Sequence, residues 1–362
     1  MKKLSIILLA LALALVFTVP AMAIHIGDDD SPEGSIGFTG RYQFDGESRD
    51  YNDVKNDFFD DDLDVSITMI QGGVKGFVGL EIADTPDFAG NSHVNANVSN
   101  IVDNYYVEWS AMDNLKVKIG EYGLAFGRAI GTDSAGERQI QVTYSMDAVS
   151  ISGALMKAVD GGEDEDDTLY LKLSAKEAGP FTKLDVVSYS EMNDVTVPEN
   201  SYTGLDLAVP VGPVGVAFEY GANGGDLDGN FMLLELALDD LVGFELGVNY
   251  FASSDDYSAA YDGSDWSPVA IYGDNINSVL ADATALWLTF GYSVNDKLSL
   301  NAAALLMTEN DVGDDLGTEF DVGLKYKLAD NVSYAAKYGS YTEGDAPIGD
   351  WTEMWHRIEF KF

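Results

Sequence analysis

The chain closes on Met354-Trp355-His356-Arg357-Ile358-Glu359-Phe360-Lys361-Phe362. Apolar and polar residues alternate strictly over the last five positions, the mark of a strand with two unlike faces. Ile358, Phe360 and Phe362 share one face, while Arg357, Glu359 and Lys361 share the other. In a water-soluble sandwich the apolar face would meet a core. At the end of an exported chain without cysteine, it reads as a face turned to lipid.

The opposite end supports export. Lys2 and Lys3 precede an apolar run from Leu4 to Val16, and Ala21-Met22-Ala23 offers a small-residue cleavage site. Residues 1–23 therefore read as a secretory signal peptide, with the mature domain at 24–362. No later stretch has the ~18 consecutive apolar residues that a spanning helix needs. The final strand resembles the closing strand of bacterial outer-membrane β-barrels. That resemblance implies localisation in the outer membrane of a Gram-negative bacterium. It also implies that Phe362 serves as the assembly signal read by the barrel-assembly machinery.

Composition narrows the class. Acids outnumber bases 61 to 20, a balance that argues against a nucleic-acid partner. Hydrophobic residues make up 46% of the chain and aromatics 11%, too much for a disordered acidic protein. Cysteine is absent, which excludes disulfides, thiolate metal sites and covalent c-type haem. No linker or composition break divides the chain.

Period-two segments recur throughout. Examples are Ile36/Phe38/Gly40/Tyr42/Phe44, Tyr105/Val107/Trp109, Phe244/Leu246/Val248/Tyr250 and Phe320/Val322/Leu324/Tyr326. Residues between them are polar or small, and much of the second face reads as Gly, Ala, Ser and Asn with sparse charges. Connectors alternate between short turns, such as Gly72-Gly73, Asp113-Asn114 and Asp330-Asn331, and long polar segments, such as 45–61, 84–100, 123–137 and 253–282. Short turns on one side and long loops on the other predict an all-β, transmembrane, antiparallel up-and-down barrel. Eight turns and nine loops give about eighteen strands, with sixteen the alternative count. A soluble sandwich or solenoid would also alternate, but its polar face would be richer in Lys, Glu and Thr.

The acidic excess falls in the long segments. Asp45 to Asp62 holds eight acids, and Glu163, Asp164, Glu165, Asp166 and Asp167 form one run. Such an acidic rim is either simply solvated or a ring that concentrates cations at a channel mouth. Divalent cations held there would bridge to lipopolysaccharide; no other cofactor and no protein metal site is expected.

Tyr105-Tyr106-Val107-Glu108-Trp109 followed by Leu115-Lys116-Val117-Lys118-Ile119-Gly120-Glu121-Tyr122-Gly123-Leu124-Ala125-Phe126-Gly127-Arg128 is similar to the strand–turn–strand–loop of Gram-negative porins, including the phosphate-selective porin family. Glu121 stands where that family has glutamine and Ala125 where it has proline, and its dense arginine ladder is missing. The resemblance implies that a loop near 123–137 folds inward to narrow a pore. Constriction candidates are Arg128, Asp133, Glu137 and Arg138 in the loop, with Lys116, Lys118 and Glu108 on the wall. Arg128 and Arg138 could equally pin the loop by pairing with neighbouring acids.

The expected function is that of a porin, a passive channel for small hydrophilic solutes and ions that prefers cations. The alternatives are an anion- or phosphate-selective porin, or a structural barrel sheathing an electron-transfer protein. Outer-membrane lipid and lipopolysaccharide are the expected surroundings, and a homotrimer is left open. No catalytic residue is assigned: the three histidines, His25, His93 and His356, lack the partners that hydrolytic barrels use.

Overall fold

Among the described residues of the computed structural model, the regular structure consists of nineteen strands. The structure describes residues 24–27, 34–51, 54–81, 102–124, 138–157, 167–193, 197–225, 229–241, 243–254, 282–309, 315–342, 344 and 350–362. The first strands are β1 (Ile24–Gly27), β2 (Ser35–Tyr51), β3 (Val54–Gln71), β4 (Val74–Glu81), β5 (Val102–Met112), β6 (Leu115–Glu121), β7 (Arg138–Met146) and β8 (Val149–Lys157). Next come β9 (Asp167–Ala178), β10 (Phe181–Asn193), β11 (Val197–Val211), β12 (Val214–Gly225), β13 (Asn230–Leu241) and β14 (Phe244–Ser253). The last are β15 (Ala283–Asn295), β16 (Leu298–Glu309), β17 (Asp315–Ala329), β18 (Val332–Thr342) and β19 (Trp351–Lys361).

From β2 to β19 each strand pairs antiparallel with the next, and β19 returns to β2 with Trp351 opposite Tyr51 and Lys361 opposite Arg41. The result is a closed barrel of eighteen strands, the higher of the two counts expected. Closure leaves no open edge, which a hydrocarbon environment demands. Strand β1 is a short addition that pairs with the first residues of β2, Ile24 opposite Phe38 and Gly27 opposite Ser35. It lies in line with the end of β19 along the same edge of β2.

Period-two rows sort the side chains. Val107, Trp109, Ile119, Ile151, Leu155, Leu171, Leu246, Leu288, Phe320 and Phe362 are all exposed on the outside of the barrel. In water such a surface would be untenable; as a belt around a barrel it is the membrane-facing surface. His356 belongs to this outward row, where its Nδ1 lies 2.7 Å from the Tyr334 hydroxyl. Eight connections, at residues 72–73, 113–114, 147–148, 179–180, 212–213, 242–243, 296–297 and 330–331, are tight and lie on one side.

One expected long segment is not a loop. Residues 45–61 continue the β2–β3 hairpin, whose strands are 17 and 18 residues long and leave only 52–53 between them. Such lengths exceed the ~9–11 residues that cross a bilayer. The acidic end of the hairpin therefore runs on into water, where backbone pairing needs no apolar side chains.

Candidate lumenal site

The inner rows form two tiers. Toward the tight turns the wall is polar and open: Glu245, Asn301, Lys325 and Lys327 are exposed on the inside. A concavity of about 570 Å³ there is lined by Lys297, Lys325, Lys327, Glu359 and Lys361 among others. At this mouth the Lys327 ammonium donates to Asp330 at 2.8 Å and holds its carboxyl below the usual range. A second concavity of about 460 Å³ lies against Glu245, Lys325, Lys337 and Trp355.

Toward the long loops the inner rows change character. Tyr170, Tyr189, Phe231, Leu233, Phe251, Trp287, Leu305, Met307 and Tyr341 are nearly or fully buried there. They belong to one apolar cluster that also takes in Tyr122 and Leu124. Phe231 and Phe251 stack at 5.8 Å across the β13–β14 pair. The expectation of an inner face of small residues thus fails in this tier. The signal was present: Phe231-Met232-Leu233-Leu234 and Leu305-Leu306-Met307 lose alternation because both faces are apolar.

Between and beside these regions run charge-paired side chains. Arg357 grips Asp45 with two nitrogens, at 2.8 and 2.7 Å, across the β19–β2 seam. On the next pair Arg41 donates to Asp64 at 2.8 and 2.5 Å. Lys172 reaches Asp185 at 3.0 Å, Lys183 reaches it at 3.6 Å, and Lys183 also pairs with Asp206. Paired carboxylates and ammonium groups of this kind give a wall of mixed sign rather than a single-sign ladder.

The expected wall residues fall together on β5 and β6. Glu108 lies opposite Lys118 in the register, but its carboxylate pairs with Lys116 at 3.4 Å. Beyond Glu121 the inner row continues: Tyr122 and Leu124 are buried on the lumen side, and the inner-row Gln139 donates its side-chain amide to the Tyr122 carbonyl. Gly120 has a φ of 150° and no room for a Cβ against Tyr105 O and Tyr106 Cα.

The other expected residues are placed differently. Arg138 shares the outward row of Ile140 and Val142 and lies 3.7 Å from Glu121, so it does not stand beside Lys118. Arg128, Asp133 and Glu137, and the acids Glu163 to Asp166, lie outside the described residues, while Asp167 opens β9. Phe362 is bonded to Gly40 in both directions, at 2.7 and 2.9 Å. Among the described residues no group of three or more His, Asp and Glu has a metal-binding arrangement.

No family model matches the chain, and neither does any curated protein sequence. Solved structures do. Pseudomonas aeruginosa OccK8 (OprE) matches with a TM-score of 0.62 at 13% identity, over 90% of this chain and 98% of that one. Acinetobacter baumannii OccAB2 matches with a TM-score of 0.64 at 12% identity, with the same coverage. The outer membrane protein OpdK of P. aeruginosa matches at 0.61 and 11% identity, again over 90% and 98%. At such identities the likeness is one of fold. Together with the apolar outer belt, it gives the chain the eighteen-stranded transmembrane barrel fold of these outer-membrane proteins.

Proposed function

We propose that the barrel is a passive diffusion channel for small hydrophilic solutes and ions, narrowed on its loop side and preferring cations. The observation that carries this reading is the open, polar tier of the lumen within a fully closed eighteen-stranded wall. Barrels of this strand number leave an aqueous space unless something fills it. No chemical step is involved: permeation needs only a path whose walls bind solutes weakly enough to release them.

The cation preference rests on the acids of the long segments. In this reading the long connections carry acid to one mouth, and the turn-side lysines moderate the field from the other end. Purified protein in planar bilayers should give discrete single-channel currents. Under a salt gradient near 0.1 M, where the Debye length is ~10 Å, the reversal potential should favour cations; near 1 M, where it is ~3 Å, the preference should fade. Neutralising Glu163 to Asp167 should reduce it without closing the pore. Electrical silence would favour the sheath reading, and an anion preference would transfer control to Lys116, Lys118 and the turn-side lysines.

A further inference from the structure

Lys118 stands where three strands meet. Its Nζ lies 3.8 Å from the centroid of the Tyr106 ring on β5 and 3.5 Å from that of Tyr122. Phe77 of β4 stacks on Tyr106 at 5.0 Å, and the two tyrosine rings meet edge to face at 5.7 Å. The Tyr122 hydroxyl donates to the Lys118 carbonyl at 3.3 Å. Tyr122, the first residue past β6, is thus held by its ring and its hydroxyl, and by Gln139 through its carbonyl. Gly120, two residues before Tyr122, has a backbone φ of 150° and no room for a Cβ.

An ammonium enclosed by two ring faces is poorly placed to attract solutes. It trades part of its water for the negative faces of the rings. Its nearest registered acid, Glu108, is engaged by Lys116 instead.

We propose that Lys118 is a positioning residue: held between Tyr106 and Tyr122, it keeps Tyr122 and Leu124 packed on the lumen side of the wall. The inference rests on the channel reading for its electrical consequence, but not for its structural one.

Two variants separate position from charge. Tyr122→Leu removes a ring and changes no charge, whereas Lys118→Met removes the charge and keeps the stem. Lys118→Arg keeps a cation that can stack. Because the chain contains no cysteine, Leu124→Cys supplies a single thiol at a site only 5% exposed. Maleimide labelling of that thiol in the folded barrel should be slow. It should speed up about tenfold when either Lys118→Met or Tyr122→Leu is added, and stay slow with Lys118→Arg. In bilayers the same two variants should lose a single steady conductance level.

Slow labelling and steady current in Tyr122→Leu would overturn the proposal and leave Lys118 as a charge presented to solutes. Heat-dependent migration in detergent gels reports folding of each variant. Tyr106→Leu, which opens the sandwich from the strand side, replaces Tyr122→Leu should that variant not fold. If the parent protein conducts nothing, the channel reading fails, while the labelling rates still decide the role of Lys118.

Discussion

Deletion of Phe362 is expected to leave the protein in the periplasm, sensitive to protease, with surface levels down by at least about tenfold. The residue closes the barrel with its backbone: its amide donates to the Gly40 carbonyl and its carbonyl accepts from the Gly40 amide. Its ring lies over Gly40, so closely that a Cβ there would strike the ring and the Asp64 carbonyl. Tyr42 and Phe360 continue the same outward seam, with ring centroids 6.1 Å apart. Backbone groups left open at the edge of hydrocarbon each cost several kcal/mol, so loss of this pair weighs on closure itself. Phe362→Ala keeps the backbone pair and should fall between wild type and the deletion. Gly40→Val should mimic the deletion from the other side of the seam. Normal surface levels in both the deletion and Gly40→Val would remove the seam from any account of assembly. A defect in the deletion alone would assign the effect to recognition of the terminal aromatic.

The second large effect concerns the outer belt. Leu288 is 45% exposed, midway along β15, and lies opposite Val248 on one side and Ala304 on the other. An arginine on a lipid-facing row at the bilayer midplane costs about 2–4 kcal/mol. Leu288→Arg should therefore lower the urea midpoint for unfolding from phospholipid vesicles by that equivalent. Asn301→Arg, on the inner row of β16 where the wall is open, should shift it by less than half as much. Equal stability of Leu288→Arg and wild type would mean that this row does not meet hydrocarbon.

Much of the fold is legible without coordinates because lipid and lumen impose a period of two on most of the strands. The outward rows 105/107/109, 244/246/248 and 320/322 came directly from that rule, and Lys116, Lys118 and Glu108 fell on the inner face by parity. What composition hid was the hairpin at 45–61. Seven acids there look like a loop, yet strand pairing is a property of the backbone and persists above the membrane. The apolar inner tier was hidden for the opposite reason. Alternation fails in β13 and β16, and a stretch that is apolar on both faces says nothing about which neighbours it meets. The contact of Lys118 with Tyr106 and Tyr122 depends on the register of β5 against β6 and on the close approach of Gly120 to Tyr106. Neither is a property of any single segment.

The pairing of β19 with β2 also bears on the order in which the barrel forms. Every other pair in the wall joins consecutive strands, so the sheet can grow hairpin by hairpin through contacts near in sequence. The seam alone joins distant chain: Arg357 and Asp45 meet across 312 positions. Loop-closure entropy rises only with the logarithm of length, but such contacts reward the chain last. A nearly complete sheet would thus wait with two unpaired edges, and unpaired edges recruit foreign strands. Until β19 docks, β1 already covers the first residues of one of them. The short strand shortens the exposed edge of β2 at Ser35–Phe38 and leaves Arg41–Tyr51 to the last strand.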